Sequence, residues 1–224
     1  MKQLLVSRES GARRQKREEG VSAIKNVLFD IGKVLLSFER EQTISEFARY
    51  SLSVDEKEFG IEHVFVDSYW ERMETGHVSP EQYYERFCEA SGCAIGLRHF
   101  VLIWTMNFTP VAEMIAYGRA LAEKYNIYFF SNTDPIHIPP LYNRFPSLLF
   151  FRGQALSWEL GVRKPDPEFF RRGLAKFDLD PRECLFVDDR QENAEAAARL
   201  GIRSVVFSSP SQAIAEMDAV LAGS

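Results

Sequence analysis

The sequence predicts an α/β fold: a three-layer core built on a parallel sheet, with an all-helical segment inserted into it. Short unbroken apolar runs recur at Val27-Leu28-Phe29, Ile127-Tyr128-Phe129-Phe130 and Cys184-Leu185-Phe186-Val187, with none of the polar alternation of a half-wetted sheet. Runs of this length, bounded by turn residues, belong to central strands of a parallel sheet covered by helices on both faces. Between them, apolar residues fall at three- and four-residue spacing, as the helical crossovers of parallel strands require. Each run ends in polar groups: Asp30, then Ser131-Asn132-Thr133-Asp134, then Asp188-Asp189. Parallel strands bring these ends to one rim, where open α/β sheets bind ligands.

Taken in order, residues 1–21 hold Arg8, Arg13, Arg14, Lys16 and Arg17 among few apolar residues. That stretch lacks the apolar core of an export signal and reads as a basic, solvated N-terminal extension. The core domain is expected over 22–38 and 109–224, and a helical domain over 39–108. After the strand that ends at Asp30, a second apolar triplet, Val34-Leu35-Leu36, also demands burial. Helices are expected over 39–52, 61–73 and 97–107. The best-marked one starts at Ser79, with Pro80 at its first position, Gln82 completing a capping box and Gly92 ending it. Thr109-Pro110 is expected to open the next helix, with Met114, Ile115, Leu121 and Ala122 facing inward. After the Ile127 strand, Pro135, Pro139, Pro140 and Pro146 limit 136–145 to a short helix, and Leu148–Phe151 reads as a strand. Asp166 caps a helix with Pro167 at its first position, which leaves Lys164 on the loop before it, free to point at a ligand. The remainder reads as the Cys184 strand, an Ala-rich helix closing at Gly201, a strand over Ser204–Phe207 and a helix from Pro210 to Leu221.

A chain of 224 residues with 46% hydrophobic content suffices for one sizeable core plus a smaller inserted unit. Its net charge of -5 gives no general attraction to nucleic acid or anionic lipid, so neither is an expected partner and any anionic ligand must meet a local site. No repeat or membrane-spanning run is present. Cys88, Cys93 and Cys184 are an odd set without metal-ligand spacing, which suggests free thiols in a reducing cytoplasm. The four histidines, His63, His77, His99 and His137, form no zinc-type pair and are expected at the surface or as supports.

Asp30 is the candidate nucleophile: a carboxylate in line with phosphorus can form an aspartyl phosphate and split one hard displacement into two easier ones. Two anions need a counter-charge, and magnesium, held by few carboxylates plus waters and substrate oxygens, is the expected one, with Asp189 as the second carboxylate. Ser131 offers a hydroxyl to a phosphate oxygen, and Lys164 a positive charge for the transition state. Asn132 suits either bracing the loop or meeting substrate. Asp134, Lys33 and Arg163 are candidate substrate contacts that also fit solvated loop charges.

The order Asp30, Ser131-Asn132, Lys164-Pro165, Asp188-Asp189 resembles the four motifs of the haloacid dehalogenase superfamily, over roughly residues 22–221. Phe29-Asp30-Ile31-Gly32-Lys33-Val34-Leu35 is similar to a branch that includes sugar-phosphate phosphatases, in particular glucose-1-phosphate phosphatases. The resemblance implies a Rossmann-like core with a helical cap domain over 39–108 that closes on the site and selects substrates. It also implies magnesium held by Asp30, the backbone carbonyl of Gly32 and Asp189, with Asp188 and Asn193 in or near the coordination sphere. The cap aromatics Tyr69, Trp70, Tyr83, Tyr84 and Trp104 are candidate pocket walls, although their helical spacing suits the cap's own core. The function so implied is a cytoplasmic, magnesium-dependent phosphomonoesterase for a small phosphorylated metabolite such as a sugar phosphate.

One position departs from the pattern. Most phosphatases of the superfamily carry a second Asp two residues after the nucleophile as general acid and base, and Gly32 stands there. Without it, esters whose leaving group carries its own charge, such as aryl, acyl and anomeric sugar phosphates, should outrun alkyl phosphates. Two other readings use the same residues: a metal-independent 2-haloacid dehalogenase attacking through Asp30, against which the Asp188-Asp189 pair argues, and a phosphate-binding regulatory protein that has lost turnover, which Gly32 favours. A receiver-type signalling domain would place its acidic pair on the first strand instead.

Overall fold

The computed structural model describes residues 22–223, so the expected basic extension, 1–21, lies outside the described residues. Strand β1 (Asn26–Phe29) is followed by the short strand β2 (Leu36–Phe38). Five helices come next: α1 (Arg40–Ala48), α2 (Ile61–Val64), α3 (Tyr69–Glu74), α4 (Pro80–Ser91) and α5 (Leu97–Met106). The chain returns through β3 (Phe108–Pro110) and continues as α6 (Ala112–Leu121), β4 (Asn126–Ser131), α7 (Ile138–Arg144), β5 (Gly153–Leu156), α8 (Ser157–Leu160) and α9 (Pro167–Lys176). It ends with β6 (Cys184–Asp188), α10 (Gln191–Ala198), β7 (Arg203–Val206) and α11 (Pro210–Ala222).

The sheet order is β5-β4-β1-β6-β7, and every pairing in it is parallel. β1 lies at the centre. Its consecutive apolar residues serve opposite faces, which is why the run does not alternate: Val27 and Phe29 join one cluster with α6 and α11, and Leu28 joins another with α9 and α10. The three-layer expectation holds.

Residues 40–106, joined by Ile136 from the loop after β4, gather a further hydrophobic cluster around Phe47, Tyr83, Phe87, Phe100 and Trp104. Within it, α4 begins as the sequence implies: Ser79 Oγ accepts from the Gln82 N–H at 3.2 Å, Gln82 Oε1 accepts from the Ser79 N–H at 3.0 Å, and Gly92 closes the helix in the left-handed region at φ 66°.

Three sequence expectations need correction. Leu148–Phe151 is not a strand. Pro146–Leu148 forms a 3-10 turn, Leu148 is buried in the core, and Phe150 and Phe151 pack against Phe129. Their hydrophobicity records packing over the sheet; the strand starts at Gly153 and is an edge, paired only with β4. Nor does Thr109-Pro110 open a helix. It lies in β3, paired antiparallel with β2 in the register Leu36 to Pro110, an edge position where proline's missing N–H costs nothing. The 61–73 stretch breaks into α2 and α3 where Asp67 takes a positive φ of 47°. The apolar triplet Val34-Leu35-Leu36 is fully buried, as expected; only Leu36 joins a strand, and both its N–H and that of Leu35 fold back onto Ile31 O, at 2.9 and 3.0 Å.

The turn between α3 and α4 seats on the core at one point. Gly76 has φ +70°, and a Cβ there would stand 2.4 Å from the carbonyl oxygen of Trp158 in α8. Gly76→Ala is therefore expected to cost about 1–3 kcal/mol, through the left-handed backbone and the forced separation. An unchanged urea midpoint would show that the two segments part there without penalty.

No helix among the described residues is long and apolar enough to cross a membrane. The three cysteines are free thiols, and burial pushes the Cys184 thiol up to about 12, which leaves it unreactive near neutral pH.

Candidate active site

The expected rim is present. Asp30 follows β1, its N–H still bonded to Val187 O of β6 at 2.9 Å, and its side chain faces the cleft with the residue 8% exposed. Ser131 ends β4 and is buried. Asp188 ends β6, and Asp189 follows it half-buried.

Lys164 is not the free loop cation that its place before Pro165 suggested. It is 1% exposed, donates to Phe130 O at 2.8 Å and to Asp188 Oδ2 at 2.6 Å, and stands 3.0 Å from Asp30 Oδ1. Asn132 holds it there: Asn132 Oδ1 accepts from the Lys164 N–H at 2.8 Å, while Asn132 Nδ2 donates to Lys164 O at 2.9 Å. Asn132 is thus a brace for the loop in this arrangement. Asp188 Oδ1 accepts from the Arg190 N–H at 2.9 Å and from Asn193 Nδ2 at 2.8 Å, so both its oxygens are engaged.

One oxygen each from Asp30, Asp188 and Asp189 lie within 4.8 Å of one another. Three carboxylates face one buried ammonium, with Lys33 Nζ 3.9 Å from Asp189 Oδ2 at the outer edge. Burial pushes the Asp30 carboxyl up to about 6, against the pull of Lys164, and Asp188 adds to the rise. Asp189 is raised as well, by burial and by Asp188. Burial pulls the Lys164 ammonium down, but Asp188 and Asp30 outweigh it and its pKa rises. Asn193 Oδ1 is buried and accepts no hydrogen bond, and Asp30 Oδ1 has the Lys164 ammonium beside it at 3.0 Å. A surplus of negative charge, hard oxygen donors and a buried amide oxygen without a donor suit a small divalent cation such as magnesium.

The cleft holds about 730 Å³, between Asp30, Ser131, Asp189 and Asn193 on one side and Phe65, Trp70, Glu74 and Trp104 of the helical segment on the other. That volume is within the roughly 300–1,000 Å³ usual for small-ligand sites. Of the five aromatics singled out from sequence, Trp70 and Trp104 line the cleft. Tyr83 and Tyr84 instead donate inward to Val64 O and Ile95 O, both at 2.5 Å, and Tyr69 lies under Arg72.

Asp134 is also not a solvated loop charge. At 1% exposure it accepts from the backbone N–H groups of Ile136 and His137 at 2.9 and 3.0 Å. Its Oδ2 lies 2.7 Å from His137 Nδ1 and accepts from Trp104 Nε1 at 3.3 Å, while His137 Nε2 meets Trp104 O at 3.2 Å. Burial opposes the charge on His137, yet Asp134 raises its pKa, and an imidazolium donates from both nitrogens. This group ties the loop after β4 to α5 at the cleft wall. Sequence reasoning missed it; the i, i+3 spacing of Asp134 and His137 at a proline turn was the available signal. Glu74 went unnoticed too, and nothing in α3 marks it apart from its exposed neighbour Glu71.

The family profile described as haloacid dehalogenase-like hydrolase matches residues 24–201. The chain belongs to that family. This HAD-like hydrolase is 25% identical over 194 residues to the D-ribitol-5-phosphate phosphatase of Bacteroides thetaiotaomicron, spanning 81% of this chain and 90% of that one. It is 27% identical over 187 residues to a sesquiterpene phosphatase of Aspergillus oryzae, spanning 81% and 88%. A solved HAD family enzyme from Bacteroides thetaiotaomicron superposes with a TM-score of 0.76 at 27% identity, covering 84% of this chain and 95% of its own. A structure of that enzyme contains magnesium and inorganic phosphate; it aligns with a TM-score of 0.72 at 26% identity, over 83% of this chain and 95% of its own.

Proposed function

We propose that this HAD-like hydrolase is a magnesium-dependent phosphomonoesterase acting on a small phosphorylated metabolite through an aspartyl phosphate on Asp30. The observation that carries the reading is the end of the central strand, where Asp30 faces the cleft beside a surplus of carboxylates, a serine hydroxyl and a buried ammonium 3.0 Å away. Relatives that hydrolyse phosphate esters, and a neighbour solved with magnesium and phosphate, support it.

Asp30, Asp189 and the backbone carbonyl of Gly32 would hold the cation, with Asn193 beside them and Asp188 behind, where it orients Lys164 and Asn193. Bound there, magnesium supplies positive charge against the phosphoryl oxygens and offsets the carboxylates' mutual repulsion. Asp30 attacks phosphorus, a new carboxyl O–P bond forms, and the ester O–P bond breaks with its electron pair leaving on the alcohol oxygen. Ser131 and Lys164 stabilise the charge on the transferring group. Water then attacks phosphorus, which releases inorganic phosphate and restores Asp30. Gly32 offers no proton to the departing oxygen, so that oxygen takes its proton from water.

Residues 39–108 act as the cap. The chain enters and leaves them through the paired strands β2 and β3, and Trp70 and Trp104 shield the cleft from bulk water. Three unpaired thiols favour a reducing compartment, and we place the protein in the cytoplasm.

A panel of phosphate monoesters assayed with magnesium and with chelator tests the reading. Activity should fall at least about 100-fold in chelator and return with magnesium, with aryl and anomeric esters ahead of alkyl ones. Full activity in chelator would overturn it.

A further inference from the structure

We infer that Glu74 is a specificity-determining residue that accepts hydrogen bonds from hydroxyl groups of the departing alcohol, and that the preferred substrates are polyhydroxylated phosphates of the sugar or sugar-alcohol class. The inference rests on the phosphatase reading above and concerns the opposite wall of the same cleft.

Glu74 is the last residue of α3, lines the cleft with Asp30 and is 6% exposed. Its Oε2 accepts no hydrogen bond. The nearest cation, Arg163, is 3.4 Å away, but the same guanidinium nitrogen donates to Glu71 Oε1 at 3.1 Å. A buried carboxyl oxygen without a donor is costly, and the buried donors of the helical segment's cluster are engaged elsewhere, Tyr83 with Val64 O and Trp104 with Asp134 Oδ2. A ligand hydroxyl would satisfy it.

The surroundings select among leaving groups. Arg163 is held over the ring of Trp70 at 5.2 Å, and Arg40 over the same ring at 6.0 Å. Donors on two guanidinium groups and an acceptor on Glu74 therefore share one wall. A hydroxyl both donates and accepts, so a polyol can match that mixture. An aliphatic or terpenoid leaving group would strand Glu74 Oε2. A second anionic group would be drawn to the guanidinium groups but repelled by Glu74, and an ammonium group the reverse, so neither matches the wall as a hydroxyl does. Burial also lifts the Glu74 carboxyl to about 7, against the pull of Arg163, which suits it to a neutral partner.

The test compares the full-length parent with Glu74→Leu and Glu74→Gln, each assayed on ribitol 5-phosphate, glucose 1-phosphate and glycerol 3-phosphate, and on 4-nitrophenyl phosphate, whose leaving group bears no further hydroxyl. For at least one polyol ester, Glu74→Leu should lower kcat/KM on the order of 100-fold, chiefly through KM, because a recognised hydroxyl loses its partner. On 4-nitrophenyl phosphate it should remain within about threefold of the parent, and Glu74→Gln, which keeps an acceptor oxygen, should recover part of the polyol activity. Equal losses on all four esters, or none, would overturn the role of Glu74 and leave the phosphatase reading standing. A parent inactive on all four would overturn both.

Discussion

Asp30→Asn is expected to abolish hydrolysis, by roughly 10⁴-fold or more in kcat, while making the metal-free protein more stable at pH 7. The amide cannot form the acyl phosphate but nearly matches the carboxylate in shape. The stability gain follows from the carboxyl's pKa, raised by burial to about 6 from an ordinary 3.8. A carboxyl raised on folding binds its proton more tightly in the folded state, so stability falls as pH climbs from about 4 to about 6 and remains lower above that. The penalty is on the order of 2–3 kcal/mol, and Asn removes it. Lys164 keeps Asp188 as a partner at 2.6 Å, so the substitution strands no cation. Thermal unfolding in chelator at pH 4.5 and pH 7 is the measurement, with the gain confined to the higher pH. Magnesium should shrink the difference by neutralising the same charge. A variant that keeps turnover would eliminate Asp30 as the nucleophile.

Lys164→Met has the opposite signature. It removes an ammonium that touches two buried carboxylates, at 3.0 Å from Asp30 and 2.6 Å from Asp188. Breaking a buried pair by deleting one partner costs about 3–5 kcal/mol, because the other charge stays buried. For a chain of this size that is a fall of roughly 6–20 °C in Tm. Asp30, already raised by burial, loses the cation that pulled it down, so the loss should be greatest above neutrality and shrink as pH drops and it protonates. Turnover should fall further than in Ser131→Ala, since Ser131 is one of several donors while Lys164 is a full charge in a dry site. A Tm unchanged at pH 8 would mean that the carboxylates find another cation when Lys164 is gone.

Much of this site was legible because strand ends in a parallel sheet converge by topology. Once Val27–Phe29, Ile127–Phe130 and Cys184–Val187 are read as parallel, Asp30, Ser131 and Asp188 must share a rim, and the structure places them there. Lys164 was legible as a residue but not as a partner. Its contacts lie 24 and 34 positions away, at Asp188 and Phe130, and depend on how Asn132 grips the loop. Glu74 was illegible because burial at a helix end is set by what lies across the cleft, not by local period. The missed strands were edges: Gly153–Leu156 and the β2–β3 ribbon are short, and half-wet strands lack the apolar run that marks a central one. At Gly32, where the family's second Asp is expected, a Cβ would stand 3.3 Å from the ring of Phe38. Restoring an Asp would therefore require that ring to give way by a few tenths of an ångström.

The central place of β1 has a consequence for synthesis. Its two neighbours in the sheet are β4 and β6, so Asn26 pairs with Asn126 on one side and with Cys184 on the other. During translation β1 is the first of the sheet's strands made and the one that waits longest to be flanked on both edges. At about 5–20 residues per second, the ribosome takes roughly 8–30 s to travel from residue 29 to residue 184. Throughout that interval a four-residue apolar strand keeps at least one edge of open N–H and C=O groups. The segment that bears the nucleophile is thus the one most exposed to wrong pairing in the nascent chain, and ribosome-bound chains halted before Cys184 should engage holdase chaperones more strongly than those halted after β7.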